Sequence, residues 1–560
     1  MLRLTRLWVD GYHNLKDVTV EFDRSSLTTV ILGQNGTGKS YLLEAIAEIF
    51  RNSDLDMSPP DFQFSLSYVI GNHNVKIANP LGKWEYAVDE EKITPRAFAA
   101  AKSDVFPDTV FAYYSGTNDR MESHFDEHQK RYYRKLIEDV SDSAFKVANI
   151  DDRRLFYARP IHGVLALMCL LTTDDIEIRA LLRDMLGVTG FHSAMLLMRK
   201  PWFAKGKTGT DAEQFWGASG RPGRAARLVR RQAFFPMVVN QRASDDYRSK
   251  GREESQYAIY LRNEEALRAF AKNFADDLEL FEELESIDIS DLYRWVQVWV
   301  QRIGSEDGDV SYGEMSEGER QLLTVLGLIR LSRTKRTLFL LDEPDTHLNP
   351  RWQYDYLELI QKWAGNSGDR CQILLTTHNP LMIGSLRKEQ VRALEKRRDG
   401  RVEACEPNND PIGIGVEGLL KSELFGLRST LAPEVLAKID EHYRLLGKQD
   451  RSPEEDEDVR RLAIELNSLG ISQTHPNPYF EEFAKAMARK VQSPETGLSK
   501  REIDEQTVLA DEVLEELQRE DRDARVQDAV EASQPDAASN VEHSDTQSSE
   551  DDDNFEAGAH

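Results

Sequence analysis

The chain has 560 residues, 40% of them hydrophobic, and a formal net charge of −26. That length leaves room for two or three domains with ordinary buried cores. No run of 18 apolar residues occurs, which excludes the usual membrane-spanning helix, and so negative a charge disfavours broad electrostatic binding to nucleic acid.

In chain order, MLRLTRLWVDGYHNL is interrupted by Arg3, Arg6 and Asp10, so it reads as a first strand and not as a secretory leader. Thr28–Leu32 predicts a buried strand. GQNGTGKS follows at 33–40 and fits G-x-x-x-x-G-K-[ST]. YLLEAIAEIF after it places Leu42, Leu43, Ile46 and Phe50 at helical spacing. Strand, glycine loop and helix together make a phosphate-binding loop: Gly33, Gln34, Asn35, Gly36, Thr37 and Gly38 supply a wrapping backbone, Lys39 a cation, and Ser40 a hydroxyl for Mg2+. SLSYVI, VKIA and WEYAV predict short antiparallel strands, and TVFAYY a strand that breaks at Ser115 and Gly116.

Residues 121–304 lack sustained heptads and predict a compact, mostly helical insertion. Its clearest expected helices are ALRAFAKNFADDLELFEEL at 266–284 and DLYRWVQVWVQRI at 291–303. Between Arg199 and Arg231 stand nine Lys or Arg and two acids, with Trp202, Phe203, Phe215 and Trp216 interleaved. Arg224, Arg227 and Arg231 would share one helical face. The stretch suits nucleic acid, an acidic protein segment (including this chain's own tail), or a solvated helix face.

MSEGERQ at 315–321 places Ser316 as a helix cap with Glu319 at the capping-box position, ahead of the apolar LLTVLGLIRL. LFLLDEP at 338–344 reads as a strand buried on both faces. Asp342 at its end is placed for metal, and Glu343 for the general-base role. LLTTHNP ends a further strand at His378. GVEGLLKSE at 415–423 has a Glu-Gly pair like a TOPRIM nuclease, but the only nearby Asp-x-Asp, Asp456 and Asp458, follows no apolar strand; no nuclease centre is expected. Residues 431–490 predict helices, and 502–520 a short acidic one. From Asp521 to His560 there are 12 acidic and 2 basic residues, and the composition predicts a disordered tail. Cys169, Cys371 and Cys405 lack metal or disulfide spacing, so a reducing cytoplasm is expected.

The order of the four motifs resembles ABC-type ATPases. DEPDTHLNP, with Glu317 and Glu319 where transporters carry glycine and glutamine, is similar to the SMC and RecF branch, as is HNL at 13–15. The resemblance implies an α/β fold: an ABC/SMC-like P-loop head of two lobes with a mixed sheet, a large helical insertion and a disordered acidic tail. Lobe I would span 1–120, the insertion 121–304, lobe II 305–430, a partner-docking helical segment 431–490, and the tail 491–560. It implies ATP with Mg2+, bound between two copies of the chain. Ser316, Gly318 and Glu319 would then cap the γ-phosphate of the opposite subunit, His378 would sense it, and Asp345 would lie where the D-loop crosses the interface. Ser115 or Asn118 would stand near the nucleotide in place of the usual glutamine.

A narrower likeness rests on YYSGTNDRM at 113–121, RLFYARPIHG at 154–163, RKPWFAKGK and FWGASG within 199–220, MSEGERQLL, and VEGLLKSELFGL at 416–427. These strings resemble PtuA-type ATPases of Septu antiphage systems and of retrons that carry an ATPase and HNH nuclease pair. This implies a regulatory ATPase controlling a separate HNH nuclease, in the retron case held in check by a reverse transcriptase and its msDNA. The competing readings are a stand-alone DNA-repair ATPase of RecF type and a scaffold that binds ATP without hydrolysing it.

Overall fold

A computed structural model describes residues 1–137, 153–201, 210–243, 251–332, 336–364, 370–397, 400–448, 450–469 and 519. The expected helices beyond 469, the acidic tail, and Trp202 and Phe203 lie outside the described residues. The chain divides into two compact units, Met1–Thr430 and Leu431–His560.

The first unit is built on a seven-stranded sheet. Its strands are β3 (Thr28–Gly33), β8 (Thr109–Tyr114), β9 (Leu155–Tyr157), β15 (Thr337–Asp342), β16 (Gln372–Thr376), β17 (Val391–Lys396) and β18 (Val402–Cys405). Their order is β18-β17-β3-β16-β15-β8-β9. Only the β17–β18 pair is antiparallel. The parallel strands are apolar on both faces because both are covered. Ile31, Ala112, Leu338, Leu340 and Leu374 enter one core with the Lys39–Asp54 helix and a six-stranded antiparallel sheet. Val30, Leu32, Phe339, Leu341, Ile373 and Leu375 enter a second core with the insertion.

The antiparallel sheet joins β1 (Leu2–Asp10), β2 (Val18–Glu21), β4 (Gln63–Ile70), β5 (His73–Asn79), β6 (Glu85–Val88) and β7 (Glu91–Ile93) in the order β2-β1-β4-β5-β6-β7. Strand β4 alternates strictly, with Phe64, Leu66, Tyr68 and Ile70 inward. The Gln372 side chain accepts from the Leu4 N–H at 2.6 Å, tying β1 to the base of β16.

The insertion holds helices, as expected, and also a five-stranded antiparallel sheet: β10 (Val188–Arg199), β11 (Met237–Ala243), β12 (Arg252–Leu261), β13 (Tyr293–Arg302) and β14 (Ser305–Ser311), ordered β11-β12-β10-β13-β14. The expected helix at 291–303 is therefore a strand. Val296, Val298 and Val300 alternate with Trp295, Gln297 and Trp299, and this period of two with β-branched and aromatic residues outweighs helical propensity. The run at 266–284 is two helices, Glu264–Ala271 and Asp277–Ile289, each begun by its own cap: Asn263 accepts from Ala266 N–H at 3.1 Å and Asp276 from Glu279 N–H at 2.8 Å.

The basic stretch turns inward. Phe215 and Trp216 are fully buried. On the Gly220–Arg231 helix, Arg221 donates to Glu283 and Glu282 at 2.9 Å each, and Arg224 also pairs with Glu283. Arg227 donates to the Ala218 carbonyl at 3.1 Å. Of the expected face only Arg231 is exposed. Burial pushes the Glu283 carboxyl up although two guanidiniums oppose it. Among the described residues, Arg221, Arg224 and Arg227 are thus engaged within the insertion.

Within the second unit, the Pro433–Leu446 and Pro453–Ser468 helices pack on each other, with a Lys438–Glu465 ion pair at 2.8 Å. Asp456 and Asp458 lie on the second helix, paired with Arg451 and Arg461, with no strand before them.

Candidate nucleotide site

The C-terminal ends of β3, β15 and β16 lie side by side, because Asp342 is in register with Thr376, and Thr376 with Ile31. The loop after β3 coils back on itself. Asn14 donates to the Gly36 carbonyl at 2.7 Å, and Thr37 Oγ1 to the Gln34 carbonyl at 2.9 Å. Gly38 has φ +98°, and a Cβ there would meet Asn14 Oδ1 at 2.7 Å and Leu15 at 2.8 Å; only glycine fits. It starts the Lys39–Asp54 helix with no side-chain cap, so the helix N-terminus offers its N–H groups to an anion.

Lys39 is buried and donates to the Gly33 carbonyl at 2.8 Å. Burial pulls its pKa down, while Glu343 and Asp342 pull the other way. Asp342 is also buried; burial pushes its carboxyl up, and hydrogen bonds from Thr376 and Ser40 oppose that. A buried carboxylate joined to the loop's serine hydroxyl is an oxygen donor set of the kind Mg2+ takes. The residues present fit the group.

Glu343 has φ +50°, a strained conformation for a glutamate at the end of a strand. Its N–H is held by the Thr376 carbonyl at 3.1 Å, and its Oε1 lies 3.2 Å from His378 Nδ1. Carboxylate and imidazole, 35 residues apart in sequence, thus meet beside Lys39. Asp345 is turned inward: it is 3% exposed, and Thr377 Oγ1 donates to its two oxygens at 3.1 and 3.0 Å. Here it braces the strand end that carries His378, and it has no free carboxylate at a surface.

Ser316 and Glu319 make a reciprocal cap. Glu319 N–H donates to Ser316 Oγ at 3.2 Å, and Ser316 N–H to Glu319 Oε2 at 2.7 Å. The other Glu319 oxygen accepts from Arg302 of β13 at 2.6 Å. Glu319 is therefore spent on holding the Glu317–Leu331 helix. Gly318 is required by contact: a Cβ would stand 2.6 Å from the His347 carbonyl.

A family model described as "AAA domain, putative AbiEii toxin, Type IV TA system" matches residues 28–384, well over half of the chain, and takes in the loop at 33–40, the stretch at 315–321 and the ends of β15 and β16. The chain belongs to that AAA-domain family. The AAA-domain chain is 30% identical over 130 residues to the Septu protein PtuA of Bacillus mycoides (strain KBAB4), covering 23% of this chain and 18% of the relative. It is 24% identical over 204 residues to the "Retron Vc95 probable ATPase" of Vibrio cholerae serotype O1 biovar El Tor, covering 34% and 37%. These matches span well under half the length of the curated relatives. Among solved structures, the SMC head domain from Thermotoga maritima aligns at 13% identity over 72% of this chain and 98% of that one, with a TM-score of 0.30. RecF with ATP aligns at 14% identity over 72% and 99%, with a TM-score of 0.26.

Several site residues of the AAA-domain chain carry no motif. Ser115 N–H reaches the Asp342 carbonyl at 3.3 Å and Ser115 Oγ lies 3.0 Å from Thr346 Oγ1, while Asn118 bonds the Tyr114 hydroxyl at 2.9 Å. Glu44, one turn beyond Ser40, is 3% exposed. Burial raises its pKa to about 7, opposed by Arg120 and reinforced by Asp342. Arg120 pairs with Glu44 at 3.7 Å and lies over the Tyr41 ring at 5.0 Å. The available signal was spacing: Glu44 follows Ser40 by four residues, on the same helix face.

Proposed function

We propose that the chain is the ATP-binding and ATP-hydrolysing regulatory subunit of an antiphage defence complex that controls a separate HNH nuclease. The observation that carries the ATPase reading is the convergence of Lys39, Ser40, Asp342, Glu343 and His378 at one end of the parallel sheet. Gly33–Ser40 would hold the phosphates, with Lys39 leaving the Gly33 carbonyl for them. Ser40 and Asp342 would hold Mg2+, which supplies charge neutralisation when bound. Glu343 takes the proton of an attacking water, and His378 holds that carboxylate in place. Ser316 and Gly318 would complete the site on a second copy of the chain. The names of the curated relatives support the defence role, and the C-terminal segment 431–490 is the proposed nuclease dock. A reverse transcriptase with its msDNA as a restraining partner fits the retron relative.

Glu343→Gln should retain ATP, lose hydrolysis by at least about a hundredfold, and sediment as a dimer with ATP. Ser316→Arg should abolish that dimer. Hydrolysis at the wild-type rate in Glu343→Gln would remove Glu343 from its role. Co-expression with a neighbouring HNH protein should give a complex that deletion of 431–490 dissolves while ATP binding survives. If no partner co-purifies under any nucleotide condition, the repair-ATPase reading takes its place.

A further inference from the structure

A further cavity is lined in part by Ser115 and by none of Gly33–Ser40, Asp342, Glu343 or His378. It has a volume of about 330 Å3 and is closed by the loop after β8, the start of the Pro160–Thr172 helix, and the first turns of the Glu317–Leu331 helix. Its wall carries four tyrosine rings, Tyr113, Tyr114, Tyr157 and Tyr312. Gln321 lines it and is 4% exposed, and its amide meets only the Tyr113 side chain, which leaves most of its hydrogen-bonding capacity unused. A buried amide with most of its donors and acceptors unmet costs stability, so such groups are normally fully paired.

A primary amide offers one acceptor and two donors in a plane, the pattern that reads the edge of a nucleobase, adenine most directly. Aromatic rings around a 300–1,000 Å3 cleft with a few convergent polar groups form the usual pocket for a flat organic ligand. Charge decides how much of the ligand is phosphate. Arg159 and Arg320 are met in the wall by Asp119, Glu122 and Glu317, and Arg159 is already paired with Glu122 at 2.8 Å. Nothing there neutralises a triphosphate. We propose that this cavity is a second ligand site, distinct from the phosphate-binding loop, that takes an unstacked nucleobase read by Gln321, either from a free nucleoside or from the end of a nucleic-acid strand. Its occupant would join the loop that touches Asp342 and Thr346 to the helix headed by Ser316.

The test uses the full chain carrying Lys39→Ala, so that binding at the phosphate-binding loop is weakened, and ligands without a triphosphate. Adenosine, guanosine, cytidine, uridine and a short oligo(dA) are titrated by calorimetry, each at up to millimolar concentration. Saturable binding of adenosine assigns the site to free nucleosides, and binding of the oligonucleotide alone assigns it to a strand. Adding Gln321→Leu should weaken the binding at least tenfold. The unliganded Gln321→Leu chain should stay folded and melt within a few degrees of its parent, because the amide it removes meets only Tyr113. Hydrogen exchange at 113–119 should slow on binding. No binding by any of the five ligands, or equal binding in Gln321→Leu, overturns the proposal. Failure of ATP binding in the wild-type chain would instead count against the ATPase reading and leave this titration as it stands.

Discussion

Replacing Lys39 tests the nucleotide site most directly, and the structure sets the size of the effect. Its ammonium is buried, its pKa is depressed by that burial, and it donates to the Gly33 backbone carbonyl 2.8 Å away. A charged hydrogen bond contributes about 1.5–3 kcal/mol net. Moving it from the Gly33 carbonyl to a phosphate would strengthen it, so Lys39→Ala should weaken ATP binding by about 10- to 150-fold, at about 1.4 kcal/mol per tenfold. Folding stability should change by no more than about 1 kcal/mol, because loss of the carbonyl contact is offset by relief of desolvation. Lys39→Met keeps most of the buried stem and separates packing from charge. Calorimetric titration with ATP, with and without Mg2+, beside a melting curve, reads both quantities. If Lys39→Met binds ATP within twofold of the wild type while folded, the amine does not face phosphate and the assignment of the loop fails.

Asp345→Ala should leave ATP affinity within about threefold but cost about 1–3 kcal/mol in a denaturant melt, because Thr377 loses its buried acceptor. It should also slow hydrolysis by loosening the loop of His378; unchanged stability would show that the brace is not needed. Arg221→Ala should destabilise by about 3–5 kcal/mol, because Glu283 stays buried with one guanidinium fewer, whereas exposed Arg231→Ala should lie within about 0.5 kcal/mol of wild type. Equal melting temperatures for the two variants would contradict the inward reading of the basic stretch. Glu285 is a pH probe. Burial alone would raise its pKa, but Arg153 and His162 outweigh burial and hold it at about 2. A depressed folded pKa gives stability that is present above the unfolded value near 4.3 and is lost as pH falls towards 2. The stability gap between wild type and Glu285→Gln should therefore be constant above about pH 5 and close between pH 4 and 2; a gap that stays constant across that range would show that the pair is not ionic.

The nucleotide motifs were legible because each is a local pattern: a glycine loop between a strand and a helix, and a polar pair at the end of an apolar strand. The hydrogen bond from His378 to Glu343 was not, since it depends on β15 and β16 being neighbours in register. The capping role of Ser316 and Glu319 was readable three residues apart, but the Arg302 contact that occupies the second Glu319 oxygen crosses from the insertion. The insertion misled most. Counting arginines between 199 and 231 does not reveal Glu282 and Glu283, some sixty positions later, which neutralise Arg221 and Arg224. DLYRWVQVWVQRI carries a two-residue period that should have outweighed its length. Glu44 has no motif, and its burial arises only when Tyr12, Arg120 and Asp342 close around it.

The Arg302–Glu319 pair has a mechanical meaning. Arg302 is the last residue of β13, and its guanidinium also holds the Leu186 carbonyl just before β10 begins. The two central strands of the insertion sheet are therefore clamped to the same carboxylate that fixes the first turn of the Glu317–Leu331 helix. A load on the outer face of that sheet, where Trp295 and Met237 stand exposed, would travel along stiff hydrogen-bonded strands and arrive within one helical turn of Ser316. The insertion is thus stiffly coupled to the first turn of the helix headed by Ser316, the serine proposed to complete the site of a second copy. Whatever grips that outer face would meter, in the same stroke, how often two copies can close.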